Sequence, residues 1–321
     1  MMKIAFSITA TAIGWMLALN GAALAQWPER PLTLIVPAGA GGGTDATGRL
    51  LAQELEERLG QPVNVVNQGQ GGGVVGFTTM TEADPDGYTL GIAYNFAHYK
   101  PMGQGDFDVD DLTPIAQYNF DPAGFHVRQD SEWDSITQAL DDIKADPAAY
   151  DIACGGGCGG SWPIALATLL QEWEVDLSQV RMISGQGAAA ALQEMVAGGF
   201  DVVPCSVPEA GPLIEAGQVK GLAVFGSERL QAFPDIPTLE EETGLELELG
   251  AWRGLVAPAG LPQEIADQLE TAMEDIYNDE DFQQTMVSRG FGLRWRNSDD
   301  FKAFLLNEEE QVRELIGTLG L

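Results

Sequence analysis

Basic residues are scarce in this chain of 321 residues, in which 16 Lys and Arg stand against 48 Asp and Glu, for a formal net charge of −32. Nucleic-acid binding requires a cluster of cations that neutralises phosphates, so nucleic-acid partners are excluded. An anionic membrane surface would repel the chain for the same reason. Such an excess of acid is typical of proteins exposed to high salt, where screening weakens the repulsion between like charges.

Metal ligands and nucleophiles are also few, because the chain has three cysteines and two histidines. Cys154 and Cys158 share one glycine-rich stretch, whereas His98 and His126 are distant from it in sequence. A structural zinc site needs four ligands, so we expect neither a metal nor an organic cofactor. In an oxidising compartment two cysteines can pair, and the glycines between Cys154 and Cys158 make these two the preferred disulfide.

Long apolar runs are missing beyond the N-terminus. Residues 4–19 are apolar or small, Lys3 precedes them, and Ala23-Leu24-Ala25 follows as an A-x-A cleavage signature. This pattern predicts a signal peptide over residues 1–25 and a mature protein in the periplasm. A transmembrane anchor is the alternative, and the shortness of the run and the cleavage signature disfavour it.

Glycine, in contrast, is abundant, with 39 residues. The apolar run 32–36 predicts a buried strand, the loop 37–45 is rich in glycine, and leucines spaced by four residues up to Leu59 predict a helix. Another apolar run, 63–66, completes a strand–helix–strand unit. Similar alternation continues along the chain, which indicates an α/β protein with mostly parallel sheets. The length favours two lobes.

Two glycine-rich loops are candidate anion sites. The loop 37–45 and the stretch 154–161 each follow a predicted strand and precede a predicted helix. Backbone N–H groups at the start of a helix bind anions, although such loops are often plain tight turns. Neither a P-loop nor a dinucleotide motif is present. We expect a ligand's carboxylate to lie against residues 39–45, so that a side chain added at Gly42 would weaken binding.

Catalytic patterns are weak. Neither histidine lies in a known nucleophile motif. Arg253 is open to two interpretations, since it can hold a carboxylate or be a surface ion-pair partner.

Several motifs, taken in their order along the chain, resemble those of one known family, the periplasmic solute receptors of tripartite tricarboxylate transporters, also called the Bug family. The resemblance covers nearly the whole predicted mature chain. The motifs are Val36-Pro37 through Gly42-Gly43-Thr44-Asp45, Arg49 to Ala52, Asn67 with Gly71 to Gly73 and Gly76, Pro85 to Leu90, Pro234 to Thr238, and Trp252 with Ala257 to Gly260.

The resemblance implies a two-lobed, type II periplasmic-binding-protein clamshell that captures a small carboxylate and delivers it to a membrane permease. One lobe is predicted over 27–122 plus 227–321 and the other over 123–226. The implied protein is a monomer and not an enzyme. Two alternatives stay open: a secreted thiol-dependent α/β enzyme using Cys158 or Cys205 with His98 or His126, and a solute sensor for a membrane kinase.

Family positions carried over residue by residue give the candidate ligand-binding set, to which Arg253 is added. Ala38 stands where the family usually has an aromatic residue, Arg253 where it often has Phe, and Cys205 where it often has Asp, so the ligand is expected to differ from that of the best-known members. The set is Ala38, Gly39, Gly43, Thr44, Asp45, His98, Cys154, Gly155, Cys158, Ser161, Gln186, Gly187, Cys205 and Arg253.

Overall fold

The computed structural model describes residues 27–155, 158–185 and 187–319. The predicted signal peptide lies outside these described residues. The strands are β1 (Leu32–Val36), β2 (Val63–Asn67), β3 (Thr89–Ala93), β4 (Leu112–Arg128), β5 (Asp151–Gly155), β6 (Arg181–Gly185), β7 (Val203–Ser206), β8 (Val219–Val224), β9 (Gly250–Pro258) and β10 (Leu293–Arg296). The helices are α1 (Gly43–Leu59), α2 (Val74–Thr81), α3 (Ile136–Ala145), α4 (Ser161–Glu172), α5 (Ala188–Val196), α6 (Val207–Glu215), α7 (Leu239–Thr243), α8 (Gln263–Tyr277), α9 (Glu280–Ser288) and α10 (Ser298–Leu319).

The first lobe is built on a sheet with the strand order β10-β4-β9-β3-β1-β2. Strand β1 lies between β2 and β3 and pairs with both in parallel, with Leu34 opposite Val65 and Leu90. The apolar side chains of β1 are buried on both faces of the sheet, as in strands covered by helices. The predicted strand–helix–strand unit is therefore present, and its first glycine loop leaves the C-terminal end of β1.

Strand β4 carries the chain from the first lobe to the second. Its N-terminal part pairs antiparallel with β9, from Leu112 opposite Pro258 to Pro122 opposite Gly250. Its C-terminal part, from Ala123 onward, pairs antiparallel with β7 and β8. The parallel pair β5–β6 joins the second lobe through a bridge between Ile152 and Val202.

Each lobe has its own hydrophobic core. In the first, Leu34, Leu55 and Phe282 belong to one buried cluster. In the second, Phe125 packs in a cluster that also includes Leu239. Leu245, Leu247 and Leu249 pack against this second cluster as well. The lobe boundaries stay a prediction, and we propose that the chain returns to the first lobe near Gly250 and not near residue 227.

The α/β class and the two lobes are confirmed. The sheets contain both parallel and antiparallel strand pairs, because β4 and β9 are antiparallel to their neighbouring strands where the chain passes between the lobes. Within the described ranges, no helix is both long enough and apolar enough to cross a membrane.

Gly250 tests the packing at this passage. A Cβ at Gly250 would lie 2.1 Å from Asp121 O and 2.9 Å from Pro122 Cα, which are backbone atoms of the partner strand. We expect Gly250→Ala to reduce the free energy of unfolding by about 1–3 kcal/mol, the usual effect of overpacking, measured by urea denaturation. The control is Gly39→Ala, whose Cβ would meet nothing within 4 Å. Equal stability of the two variants would contradict this account.

Candidate functional site

A cavity of about 710 Å³ lies between the two lobes. It is bordered by the first glycine loop, the second glycine loop of the first lobe, the segment after β3, the loop before α4 with the start of that helix, one residue of α6 and two residues of β9. The lining residues are Pro37, Ala38, Gly39, Thr44, Gly69, Gly71, Gly72, Tyr94, Asn95, His98, Tyr99, Met102, Gln104, Cys158, Gly159, Gly160, Ser161, Trp162, Glu209, Ala251 and Arg253.

The first loop brings the start of α1 to this cavity. Gly42 caps the helix without a side-chain hydrogen bond, and the first helical bond runs from Ala46 N to Gly42 O at 2.9 Å. The N–H groups of residues 43–45 precede that bond, so the helix itself offers them no acceptor. Gly42 has φ −83° and does not line the cavity, whereas Gly39 does. A side chain at Gly42 would therefore meet neither the cavity nor a positive φ, since the nearby positive φ belongs to Gly41. The expectation that such a side chain weakens binding stays a prediction, and the structure favours Gly39 as the position to test.

Asp45 holds this loop in shape. Its carboxylate accepts hydrogen bonds from Gly41 N at 2.8 Å and Asn67 Nδ2 at 2.9 Å, and it pairs with Arg49 at 2.9 Å. Burial alone would raise the pKa of the Asp45 carboxyl, but these hydrogen bonds outweigh it and the pKa is lowered. Asp45 thus remains ionised and supports the loop from behind the cavity wall.

The second glycine loop of the first lobe packs directly on the first. A Cβ at Gly69 would lie 2.6 Å from Gly39 N, so a larger residue would separate the two loops. Tyr99 donates its hydroxyl to Gly72 O at 2.6 Å, and Tyr94 donates to Pro37 O. Burial raises the pKa of both phenols, which keeps them protonated as donors. These contacts therefore hold the two loops together.

Arg253 forms the side of the cavity nearest α1. Its Nε donates to Thr44 Oγ1 at 3.0 Å, and its Nη1 donates to Asn119 Oδ1 and to Asp121 Oδ2. Both Arg253 and Asp121 are buried, so Arg253 is not a surface ion-pair residue. Among the described residues no acceptor is bonded to Nη2, and this group remains able to donate to a ligand.

The loop before α4 supplies the facing wall. Cys154 and Cys158 form the predicted disulfide, with their Cα atoms 4.7 Å apart. Helix α4 then begins at Ser161 with no side-chain cap, and its first bond runs from Ile164 N to Gly160 O at 3.1 Å. A second helix N-terminus with unbonded N–H groups therefore faces the same cavity.

Two contacts connect the lobes across the cavity. His98 Nδ1 lies 3.2 Å from Gly159 O, and Ser161 Oγ donates to Asn95 Oδ1. His98 Nε2 lies 3.5 Å from Glu308 Oε1. The imidazole therefore lies between the loop of the second lobe and α10 of the first, with one ring nitrogen facing an oxygen of each.

Comparison with known proteins gives the family. The family model described as the tripartite tricarboxylate transporter family receptor, TctC, matches residues 47–321. The chain belongs to this family. It is a solute-binding protein, and its predicted relationship to the tripartite tricarboxylate receptors is confirmed.

Individual relatives agree over nearly the full length. Protein BugT of Bordetella pertussis is 27% identical and the match covers 92% of this chain and 90% of BugT. A TctC solute-binding protein from Polaromonas has a TM-score of 0.77 at 29% identity, covering 91% of this chain and all of that one. MatC from Rhodopseudomonas palustris, solved with bound malate, has a TM-score of 0.75 at 26% identity, covering 90% and 100%. The predicted binding-protein clamshell is therefore confirmed.

The candidate ligand-binding residues divide into two groups by position. Ala38, Gly39, Thr44, His98, Cys158, Ser161 and Arg253 line the cavity of this TctC protein. Gly43, Asp45, Cys154, Gly155, Gly187 and Cys205 lie outside the lining, and Gln186 falls outside the described residues. As ligand contacts, all of them stay predictions.

Sequence reasoning missed Asn95 and Glu209. Asn95 follows β3, and Glu209 is the fourth residue of Ser206-Val207-Pro208-Glu209, a capping box at the end of β7. The rule that ligands bind beyond the carboxyl ends of strands would have identified both.

Cys205 is unsuited to nucleophilic chemistry. The thiol is fully buried, and its Sγ lies 3.6 Å from His126 Nδ1. Burial raises the pKa of the Cys205 thiol well above its ordinary value, which disfavours the reactive thiolate. Cys158 is oxidised in the disulfide. The thiol-enzyme alternative therefore has no exposed thiol to act as nucleophile.

Metal binding has no support in the described ranges. Over 27–155, 158–185 and 187–319, no three His, Cys, Asp or Glu side chains are grouped so as to hold an ion.

The disulfide predicts a specific thiol count. We expect the native protein to be unreactive toward a thiol reagent, since Cys205 is buried and the other two cysteines are paired. Denaturation should release one thiol, and denaturation with reduction should release three, measured by mass spectrometry after alkylation. Three alkylated cysteines without reduction would rule out the Cys154–Cys158 bond.

His126 predicts a pH dependence of stability. Burial lowers its pKa from 6.5 to about 4, and its Nε2 has no partner among the described residues. The unfolded chain takes up a proton near pH 6.5 and the folded chain does not, so stability falls as the pH drops from 6.5 toward 4. Between pH 7 and pH 5 this single group should reduce the free energy of unfolding by about 2 kcal/mol.

The matched variant is His126→Asn, whose amide can replace the contact of Nδ1 with Val203 O but cannot titrate. Urea unfolding at pH 7 and pH 5 should show a smaller loss for the variant than for the wild-type protein. An equal loss in both proteins would refute the buried neutral histidine.

Proposed function

We propose that this TctC protein is an extracytoplasmic receptor that binds one small carboxylate between its lobes and delivers it to a tripartite membrane permease. The observation that carries the proposal is the convergence of two uncapped helix N-termini, those of α1 and α4, on one interlobe cavity. Arg253 adds a donor at the same wall through Nη2.

The charge of the protein makes this local arrangement necessary. A net charge of −32 opposes the approach of any anion. Charges beyond the Debye length, about 8 Å at physiological salt, are largely screened, whereas backbone N–H groups act within hydrogen-bond distance. Short-range donors aimed at one point therefore allow an acidic protein to hold a carboxylate.

The relatives favour the same ligand class. MatC is described with bound malate, a hydroxydicarboxylate, on the same fold. We infer that the loops 37–45 and 158–161 hold a carboxylate here as well, with Gly39, Thr44, Ser161 and Arg253 as the principal contacts.

Export and delivery complete the proposal. We propose that residues 1–25 direct the chain to the periplasm as a cleaved signal peptide. The mature protein acts as a monomer whose lobes close on the solute, with the contacts of His98 and Asn95 holding the closed form. The permease partner follows from the family, whose receptors serve tripartite transporters.

Gly39→Val is the direct test of the binding site. Its side chain would project into the cavity, since a Cβ there meets nothing within 4 Å. We expect the loss of one or two charge-assisted hydrogen bonds, so that affinity falls by about tenfold or more. A thermal-shift panel of mono-, di- and tricarboxylates selects the tightest ligand, and titration calorimetry compares the variants.

Gly42→Val is the matched control, because Gly42 lies in the same loop, has negative φ and does not line the cavity. Its affinity should remain within about threefold of wild type. If Gly39→Val binds as tightly as Gly42→Val, the carboxylate lies elsewhere and the proposed site is wrong.

A further inference from the structure

The cavity is also lined by Glu209, whose carboxylate is not needed to bind an anion. This residue lies in the first turn of α6 and its side chain is open to the cavity. Its Oε2 accepts from Ser206 N and Ser206 Oγ, both at 3.1 Å. Among the described residues no donor is bonded to Oε1, so this oxygen is available to a ligand.

The surrounding charges do not neutralise Glu209. Of the residues that line the cavity, Arg253, His98 and Glu209 alone belong to the Asp, Glu, His, Lys and Arg classes. Arg253 is already paired with the buried Asp121, and His98 lies against Glu308. The carboxylate of Glu209 therefore leaves the site with an uncompensated negative charge.

The environment of Glu209 supports this conclusion. Glu209 is exposed at the cavity, and partial desolvation of its carboxylate by the protein around it is the main reason that the pKa of Glu209 is raised. The Ser206 hydrogen bonds and the more distant charge of Arg253 oppose the shift without cancelling it. A cation placed beside Oε1 would be favoured, because it would replace the lost solvation.

We propose that Glu209 selects aminocarboxylates, which carry an ammonium group as well as the carboxylate, over dicarboxylates. The inference rests on the proposed function, since the carboxylate end of the solute occupies the helix N-termini and Arg253. The ammonium end then donates a charge-assisted hydrogen bond to Glu209 Oε1. A second carboxylate in that place would instead face a like charge.

The test compares solutes of matched length that differ only in the second group: 3-aminopropanoate against butanedioate, and 4-aminobutanoate against pentanedioate. Titration calorimetry at pH 7.5 and fixed salt is done with the wild-type protein, Glu209→Gln and Glu215→Gln. Glu215 ends the same helix, is exposed and does not line the cavity, so its variant is the matched control.

We expect the wild-type protein and Glu215→Gln to bind the amino member of each pair about tenfold or more tightly than the dicarboxylate. Glu209→Gln keeps an acceptor for Ser206 but loses the charge. It should bind the amino members about tenfold more weakly and the dicarboxylates more tightly, which reduces or reverses the preference.

The two proposals fail separately. Preference of the wild-type protein for the dicarboxylates overturns the role of Glu209 and leaves the carboxylate receptor standing, and this comparison holds even if Glu209→Gln does not fold. If folded Glu209→Gln keeps the wild-type preference for the amino members, the proposed role of Glu209 is also overturned. Absence of binding by every member of the panel to the wild-type protein at millimolar concentration counts against both proposals.

Discussion

The buried guanidinium of Arg253 is the interaction on which the site depends. A charge removed from water must be paired, and Arg253 meets this requirement with Asp121 and Asn119 of β4 and Thr44 of α1. Asp121 in turn accepts from Gly292 N at 2.8 Å, just before β10. Arg253 therefore joins the paired strands β4 and β9 to the start of α1, and it also lines the cavity.

The walls of the cavity are fixed by different means on its two sides. In the first lobe, buried tyrosine hydroxyls and the close contact of Gly69 with the backbone of Gly39 hold two glycine loops together. In the second lobe, a disulfide closes the loop before α4. A bond across so short a loop contributes little chain entropy, so its effect is on the shape of the loop. Both walls carry helix N-termini without side-chain caps, and walls held in shape before binding would reduce the ordering that binding requires.

Much of the fold could be predicted from the sequence, and less of the site. The α/β class could be identified from the apolar runs, the glycine loops and the leucines of α1, because each of these patterns reflects burial within one segment of the chain. The packing of Leu239 and Leu245 to Leu249 against the second core could not be predicted, since no local pattern states which of two cores a leucine joins. Ala38, Gly39 and Thr44 were identified at the cavity because they belong to a loop continuous in sequence. Asn95 and Glu209 come from separate elements that only the assembled sheets bring together.

The sequence by itself determined three features: the acidic charge, the cysteine pair, and the two helix N-termini that follow glycines. The charge is a sum over the composition, and the other two features depend on neighbours within a few residues. The tertiary structure alone decided that Arg253 is buried against Asp121, that Cys205 is enclosed beside His126, and that Glu209 opens into the cavity. The physical reason is that the burial and pairing of a charge depend on contacts between residues far apart in the chain. Arg253 and Asp121 are separated by 132 positions and meet only when β9 pairs with β4.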